Sequence, residues 1–369
     1  MVRNHSSAVK YINMRTPKYT ITNLILNNIV KYETSIKELL YNPLPEKYRV
    51  PLEEKYGAQD TQKLGELVGN PIGYNQALQI QRGQEMPSQK KTFKLFTNFR
   101  NSKDFVKSYN NSNSLKPSID LASHMNKLAM KGIVDEWDLS KIRSFSEKPN
   151  EIYDTWYKAR DFYPNLDVRS HFNDIFEWIQ NGKDSNHKLI KLGVLLFEFI
   201  DKAPFLSGNQ ITAILMLEML TKKYGYNPEN VIPFFKSIEY IGPDLLSAFK
   251  LSKSKLDLTT FLEAYLYSIS LTVLDITNEF KETHTVKVKK RGSLELHLNS
   301  RQIQLLDYLT LNQKISRGKY TKMMGISFMT SYRDLQDMVD KKYIKTKGKG
   351  RGTVYVLTKE MTPKDDELI

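Results

Sequence analysis

The segment Ala203-Pro204-Phe205-Leu206-Ser207-Gly208-Asn209-Gln210 joins two strongly apolar stretches of this 369-residue chain. The stretch before it, residues 186–200, is apolar almost all round, which predicts a helix at the centre of a core. After it, apolar residues recur at helical spacing from Ile211 to Leu220. Gly and Asn are typical of turns and helix N-caps, so the segment predicts a tight turn that opens a second buried helix.

This turn also has the features of an anion site. Backbone N–H groups at a helix start lack helical partners, and the positive end of the helix dipole attracts phosphate. Gly208 would allow an anion to approach the backbone closely. Gly-Asn before a helix also occurs for purely structural reasons, as a turn followed by an N-cap. The residues alone leave both interpretations open.

Together with the helices around it, the segment resembles the signature of the Fic family, His-Pro-Phe-x-Asp/Glu-Gly-Asn-Gly-Arg-x-x-Arg. Pro204, Phe205, Gly208 and Asn209 match it. The stretches 118–131, 186–200 and 257–266 resemble further helices of the family. The resemblance implies a mainly α fold, a Fic-type helical bundle, in which the Tyr- and Trp-containing stretch 141–163 could form a small β-hairpin flap. It also implies the transfer of a nucleotide monophosphate, typically AMP from ATP with Mg²⁺, to a Ser, Thr or Tyr hydroxyl of a protein.

The chain departs from this signature at the positions that carry the chemistry. Ala203 stands where the family has its catalytic His, and alanine cannot accept a proton, a step worth roughly 10²–10⁴-fold in rate. Ser207 replaces the acidic residue that holds Mg²⁺, and the two arginines fall at Ile211 and Ile214. We therefore expect the chain to be inactive or feeble in transfer, whether Ala203 is natural or introduced.

The resemblance implies which residues would contact ATP or another nucleotide with Mg²⁺, and Ser207 would weaken the metal. These predicted cofactor-binding residues are Phe205, Ser207, Gly208, Asn209 and Gln210. An alternative function is a non-catalytic DNA-binding regulator that uses the Fic fold as a sensor or dimerisation scaffold. In that case the protein need not act on a hydroxyl-bearing protein substrate.

Two further residues are candidates for roles at this site. Family members are often silenced by a Glu within Ser/Thr-x-x-x-Glu-Gly/Asn, and Thr34 to Glu38 matches the first part of that pattern. Leu39 breaks its last position, and the Arg partner of Glu38 would be Ile214, so a solvated Glu38 is the alternative. His124, on the predicted helix at 118–131, is the one other His that we consider as a substitute base.

The last sixty residues have a separate organisation. Helical patterns at 301–311, 316–324 and from Phe328 to about 340 are followed by a Gly-rich basic segment, 345–352, and a strand at 353–357. Three helices and a basic hairpin describe a winged helix-turn-helix. This segment resembles the C-terminal module of many Fic proteins.

Charge supports DNA as the partner of this module. The chain carries a net charge of +14, and residues 301–360 contain 13 Lys and Arg against 5 Asp and Glu. Winged helices also serve in dimerisation or protein docking, so both uses stay open here. The predicted DNA-binding residues are Ser327, Thr330, Ser331 and Arg333 on the third helix and Lys345, Lys347, Lys349 and Arg351 in the hairpin.

Composition limits the remaining possibilities. The absence of Cys excludes disulfides and thiolate chemistry, and the six His show no metal-site spacing, so no metal site built on His or Cys is predicted. No apolar run reaches the ~20 residues of a membrane span, and no signal-peptide pattern is present. We expect a cytoplasmic protein that forms no membrane contact and could form a homodimer. The predicted domains are an N-terminal helical region at 1–110, a Fic-like core at 111–285 and a winged helix at 299–360, with 87–117 as a linker.

Overall fold

The computed structural model divides the chain into two compact units. The first comprises Met1–Leu40 and Glu46–Asp275, and the second comprises Tyr41–Pro45 and Ile276–Ile369. We call them the helical unit and the C-terminal unit. The structure describes residues 17–41, 46–84, 91–109, 116–144, 147–150, 154–156, 166–181, 185–227, 231–239, 242–289, 298–312, 314–348 and 350–358.

The helical unit is built from α-helices, as the periodic apolar pattern predicts. Its helices are α1 (Asn23–Tyr41), α2 (Glu46–Leu67), α3 (Tyr74–Gln81), α4 (Lys91–Ser108), α5 (Ile119–Met130), α6 (Val168–Gln180), α7 (Lys188–Lys202), α8 (Asn209–Lys223), α9 (Phe234–Glu239), α10 (Gly242–Lys255) and the first part of α11 (Thr259–Lys289), which belongs to the C-terminal unit from Ile276 onward. The mainly α fold class is confirmed. No helix among the described residues is long and apolar enough to cross a membrane.

The helices α7 and α8 lie at the centre of the helical unit because neither has a polar face. Every residue of α7 from Leu189 to Asp201 is buried, and so is every residue of α8 from Asn209 to Thr221. The buried Lys191 keeps hydrogen-bond partners, since its Nζ donates to the carbonyl oxygens of Trp178 at 2.9 Å and Asn181 at 2.7 Å. The loop between α7 and α8 is therefore held by two helices that cannot move without exposing the core.

The stretch 87–117 was predicted as a linker, and for its middle part this prediction is wrong. Residues Lys91–Ser108 form α4, which buries Leu95, Phe96 and Phe99 completely. The abundant Lys, Asn and Ser residues occupy mainly the outer face of this helix. Asn98 fastens the helix to α5, since its Nδ2 donates to the carbonyl oxygen of Ala129 at 3.0 Å.

A buried ionic cluster joins α2, α4 and α8. The Nζ of Lys103 lies 2.6 Å from Asp60 Oδ2 and 3.1 Å from Glu218 Oε2. Burial raises the pKa of the Asp60 carboxyl, and burial together with the nearby Asp60 raises the pKa of Glu218. Burial alone would lower the pKa of Lys103, but the two carboxylates outweigh it and the pKa is raised. Two carboxylates thus share one ammonium group in the core.

The C-terminal unit combines three helices with a small antiparallel sheet. Its elements are α12 (Ser300–Asn312), β1 (Ile315–Ser316), α13 (Arg317–Met324), α14 (Phe328–Asp340), β2 (Ile344–Lys347) and β3 (Val354–Leu357). The strand order is β1-β3-β2, with Lys345 opposite Val356 and Ile315 opposite Tyr355. The three helices and β3 follow the sequence prediction to within one or two residues, whereas β1 was not predicted.

The core of the C-terminal unit is apolar, and a polar network closes one side of it. Its buried residues are Leu305, Leu306, Leu309, Ile315, Tyr320, Leu335, Met338 and Ile344. Asp334 on α14 accepts hydrogen bonds from Arg301 Nε at 2.8 Å and from the Tyr320 hydroxyl at 3.1 Å. Gln302 Nε2 also donates to the carbonyl oxygen of Asp334 at 3.1 Å. This network links α12, α13 and α14 around one carboxylate.

Candidate functional site

The loop between α7 and α8 begins and ends in left-handed backbone conformations. Ala203 caps α7 with φ +41° and ψ 84°, and Gly208 precedes α8 with φ +73°. A Cβ on Gly208 would lie 2.7 Å from the Cγ and Sδ atoms of Met130. Glycine is therefore required at position 208 both by its backbone and by its neighbour. Ala203 has the same handedness without that freedom and carries a strain of roughly 1 kcal/mol.

Arg143 holds the end of α7, a role that the sequence analysis missed. The buried guanidinium donates from Nε to the carbonyl oxygen of Ala203 at 2.8 Å and from Nη2 to that of Lys202 at 2.6 Å. The backbone N–H of Arg143 also donates to the carbonyl oxygen of Pro204 at 3.0 Å. The cation thus lies at the negative end of the α7 dipole, where it is favoured. No sequence pattern signals such an Arg, because its partners are main-chain carbonyls.

The loop also forms a β-bridge with the segment that contains Arg143. Ile142 and Phe205 form an isolated antiparallel bridge. This bridge lies at the start of the stretch predicted as a flap. Tyr153 and Tyr157, which belong to that prediction, lie outside the described residues.

The predicted cofactor-binding residues are brought together, but their side chains bind the protein itself. Asn209 clamps Phe205, since its Oδ1 accepts from the Phe205 N–H and its Nδ2 donates to the Phe205 carbonyl, both at 2.9 Å. Gln210 Oε1 accepts from the N–H and the hydroxyl of Thr155, also at 2.9 Å. Ser207 Oγ accepts a hydrogen bond from Asn150 Nδ2. These polar side chains therefore shape the loop.

A second amide fixes the loop from α5. Asn126 is buried, and its Nδ2 donates to the carbonyl oxygen of Ser207 at 2.9 Å and to Thr212 Oγ1 at 3.0 Å. Asn126, Asn150 and Thr155 are loop-supporting residues that the sequence analysis did not identify. An isolated Asn within a helical pattern was the one available signal, because a buried amide needs partners.

The main chain of the loop has backbone donors without a partner among the described residues. The backbone N–H groups from Leu206 to Ile211 form no hydrogen bond with any described residue. They lie at the start of α8, where the helix dipole favours a negative charge. By this criterion the loop is suited to a phosphate or another small anion.

The same loop is not suited to Mg²⁺. Ser207 offers a hydroxyl in place of a carboxylate, and that hydroxyl is already bonded to Asn150. Within the part of the chain that the structure describes, no group of three or more His, Cys, Asp or Glu could hold a metal ion. Ile211 and Ile214 are buried in α8 and carry no charge toward a phosphate. Ala203 supplies no proton acceptor. We derive no metal-assisted or base-assisted step from this loop.

The other two candidates near the loop differ in their surroundings. Glu38 is half-buried on α1, and Ile214, which would be its partner, is an apolar residue of the core. His124 is exposed, and its ring lies 5.2 Å from the ring of Phe105. Asn126, two residues further along α5, is the residue that contacts the loop. His124 is therefore not in place to act as a substitute base.

A cavity near the bridge is lined by other residues. It has a volume of about 390 Å³ and is bounded by residues 140–144 and 166–169. Two of its charged side chains are already paired, Lys141 with Glu147 at 2.5 Å and Arg169 with Asp120 at 2.8 Å. None of the predicted cofactor-binding residues lines it.

In the C-terminal unit the predicted DNA-binding residues divide into two groups. Ser327 is the N-cap of α14, since its Oγ accepts from the Thr330 N–H at 3.1 Å and shares a hydrogen bond with the Thr330 hydroxyl. Ser331 is fully buried, and its hydroxyl bonds Thr321 Oγ1 at 2.8 Å and the Ser327 carbonyl at 3.0 Å. The prediction that Ser331 contacts DNA is therefore wrong, because its side chain joins α13 to α14 and cannot reach a ligand.

The remaining predicted contacts are cationic. Arg333, Lys345 and Lys347 are exposed. Lys349 lies outside the described residues, as does the side chain of Arg351.

The outer face of α14 also carries large apolar side chains that the sequence analysis did not select. Phe328, Met329 and Tyr332 are exposed there, and the guanidinium carbon of Arg317 lies 4.7 Å from the centre of the Phe328 ring. The sequence of α14 did contain a signal for this apolar surface. It places apolar residues on two faces of the helix, although the core needs only one apolar face.

Comparison with known proteins identifies the fold. No protein-family model matches the sequence, and no curated protein does. A solved Fic family protein from Desulfovibrio desulfuricans is similar in structure, with 16% identity and a TM-score of 0.55 over 93% of this chain and 98% of that one. Fic-1 from C. elegans is similar with 14% identity and a TM-score of 0.50, over 70% of this chain and 72% of that one. This chain therefore has the Fic fold.

Proposed function

We propose that the C-terminal unit binds double-stranded DNA and that the Fic-fold unit serves it as a non-catalytic scaffold. The observation that carries this proposal is the outer face of α14. Its residues Phe328, Met329, Tyr332, Arg333 and Gln336 are all exposed, while the opposite face holds the core. Three helices followed by a two-stranded hairpin support a winged helix-turn-helix, in which such a helix would enter the major groove.

Charge supports the same partner. Residues 301–360 carry 13 Lys and Arg against 5 acidic residues. Lys345 and Lys347 project from β2 and are exposed. Since phosphate contacts provide most of the sequence-independent affinity for DNA, these lysines are the natural backbone contacts. A cytoplasmic location, which the cysteine-free composition favours, belongs to this proposal.

The test is the salt dependence of DNA binding by the full chain. A fluorescent 30-base-pair duplex of mixed sequence is titrated by anisotropy at several salt concentrations. We expect log Kd to depend steeply on log salt, and the double variant Lys345→Ala/Lys347→Ala to reduce the slope by about 0.9 for each phosphate that is no longer neutralised. Lys37→Ala/Lys250→Ala removes two exposed lysines of the helical unit and is the matched control. Binding that is indifferent to salt would contradict the proposal.

A second function is favoured by the unused N–H groups between Leu206 and Ile211. They support binding of a nucleotide phosphate, and the family resemblance would then imply transfer to a hydroxyl of a protein substrate. We infer that this chain is inactive or feeble in transfer, because Ala203 cannot accept the proton of that hydroxyl. ATP labelled at its α-phosphate, with Mg²⁺, is incubated with this chain and with Ala203→His, and both are analysed by mass spectrometry.

The two outcomes separate the functions. Label on the Ala203→His protein, or on an added protein, would make the loop a competent site with a single lesion. No label on either would favour the scaffold, since the substitutions at Ser207, Ile211 and Ile214 then matter as well.

A further inference from the structure

The exposed face of α14 carries three large apolar side chains. Phe328 is 57% exposed, Met329 62% and Tyr332 45%, although all three begin a helix whose other face is fully packed. Leaving such side chains in water has no benefit for the folded unit itself. A contact surface explains them.

The same turns of the helix offer few hydrogen-bonding groups. Ser331 is buried, and Thr330 shares its hydroxyl with Ser327. Arg333 is the only charged residue between positions 327 and 333. The first two turns of α14 can therefore recognise a partner mainly through apolar contact.

Arg317 adds a cation to this apolar face. Its guanidinium lies over the rings of Phe328, at 4.7 Å, and of Tyr332, at 6.0 Å. Its N–H groups donate to none of the residues that the structure describes. Stacking on two rings holds the guanidinium in place while its edge stays available, the arrangement that suits a phosphate.

We propose that α14 recognises thymine through its C5-methyl group, with Phe328 and Met329 as the contacting side chains and Arg317 on the adjacent phosphate. This inference rests on the proposed function, because it requires α14 to lie in the major groove. There thymine is the one base of unmodified DNA that presents a methyl group, and apolar side chains contact it. The cations around the face match DNA better than they match an apolar protein surface.

The experiment removes the methyl groups without changing base pairing. A randomised 20-base-pair duplex library is selected for binding to the full chain, and the selected duplex is then made with deoxyuridine in place of each thymidine in turn. We expect binding to weaken by about fourfold at a contacted position, the effect of one methyl group left in water. Phe328→Ala and Met329→Ala should bind the thymine and uracil duplexes equally. Asp340→Asn, an exposed residue at the far end of the same helix, should retain the difference.

The controls separate this inference from the proposed function. Salt-dependent binding of the selected duplex with no weakening on uracil substitution would overturn thymine recognition and leave DNA binding intact. Binding without enrichment of any sequence would do the same. If no duplex is bound, both proposals fail. The comparison of thymine with uracil on the unaltered protein does not depend on how any variant folds.

Discussion

The Nε atom of Arg143 lies 2.8 Å from the carbonyl oxygen of Ala203, a residue with a positive φ. The same guanidinium reaches the carbonyl of Lys202, so a single side chain satisfies two carbonyl groups at the end of α7. These carbonyls have no helical partners, and a cation at this position also opposes the negative end of the helix dipole. The path of the loop between α7 and α8 therefore depends on a residue sixty positions earlier in the chain.

Arg143→Met is expected to destabilise the helical unit by about 2–4 kcal/mol, because it leaves buried carbonyls without donors. The three Trp residues, at 137, 156 and 178, all lie in the helical unit, so urea unfolding followed by Trp fluorescence reports on that unit. Arg169→Met breaks an exposed pair with Asp120 and should cause a much smaller change. Equal effects of the two variants would show that Arg143 does not hold the loop.

Gly208→Ala is expected to cost about 1–3 kcal/mol through its backbone conformation and its contact with Met130. Gly225→Ala provides the comparison, because Gly225 also has a positive φ but has nothing within 4 Å of an added Cβ. The difference between the two unfolding free energies measures the contact alone. If Gly208→Ala lowers the free energy of unfolding by no more than Gly225→Ala does, Met130 on α5 moves aside without cost.

Lys103→Met is expected to destabilise the protein by about 3–5 kcal/mol, because Asp60 and Glu218 would be left buried without a cation. The triple variant with Asp60→Asn and Glu218→Gln should recover most of this stability. Lys63→Met, which removes an exposed pair with Glu66, is the control and should change stability by less than about 1 kcal/mol. Thermal or urea unfolding measures all three, and a triple variant no better than Lys103→Met would contradict the ionic explanation.

The stability of the C-terminal unit should depend on the ionisation of Asp334. Burial raises the pKa of this carboxyl, but the hydrogen bonds from Arg301, Asn299 and Tyr320 outweigh burial, and the pKa lies below its ordinary value. Its contribution is therefore present above about pH 4 and is lost as the pH falls through the lowered pKa. Hydrogen exchange of α12–α14 in the full chain should show less protection at acid pH.

Asp334→Asn should lower the protection of α12–α14 near neutral pH and reduce its loss at acid pH, leaving the contribution of Asp337, whose pKa is lowered by hydrogen bonds from Lys341 and Gln302. Asp340→Asn, an exposed residue of the same helix, should leave the pH profile unchanged. An unchanged profile in Asp334→Asn would mean that another acid controls the unit.

Local pattern predicted the three helices of the C-terminal unit and its last strand, because the helices are short, regular and bounded by good caps. Ser316 and Ser327 are side-chain N-caps in the structure, and Gly325 ends α13 in a left-handed conformation. The polar stretch around α4 was misread for the opposite reason. Lys103 was taken for an exposed polar residue. Its partners Asp60 and Glu218 lie 43 and 115 positions away in the sequence, a separation over which sequence pattern gives no signal.

The predicted cofactor-binding residues lie together, and their binding of a nucleotide stays a prediction, but the hydrogen bonds of their side chains were not predicted. Phe205, Ser207, Gly208, Asn209 and Gln210 do form one loop. What the residue types could not show is that Asn209 and Gln210 bind the protein's own backbone, or that Ser207 receives a hydrogen bond from Asn150. Arg143 was missed because main-chain carbonyls, its partners, are present at every position of every sequence.

The unused N–H groups of the loop belong to the main chain, and this affects how the site can change over generations. A substitution replaces a side chain in one step, but it removes no N–H group unless it introduces proline. Only a change in the path of the chain, for example at Gly208 or Arg143, would disperse these donors. The backbone donors of this loop are therefore less exposed to mutation than any of its side chains, and they stay in place for as long as the chain follows the same path.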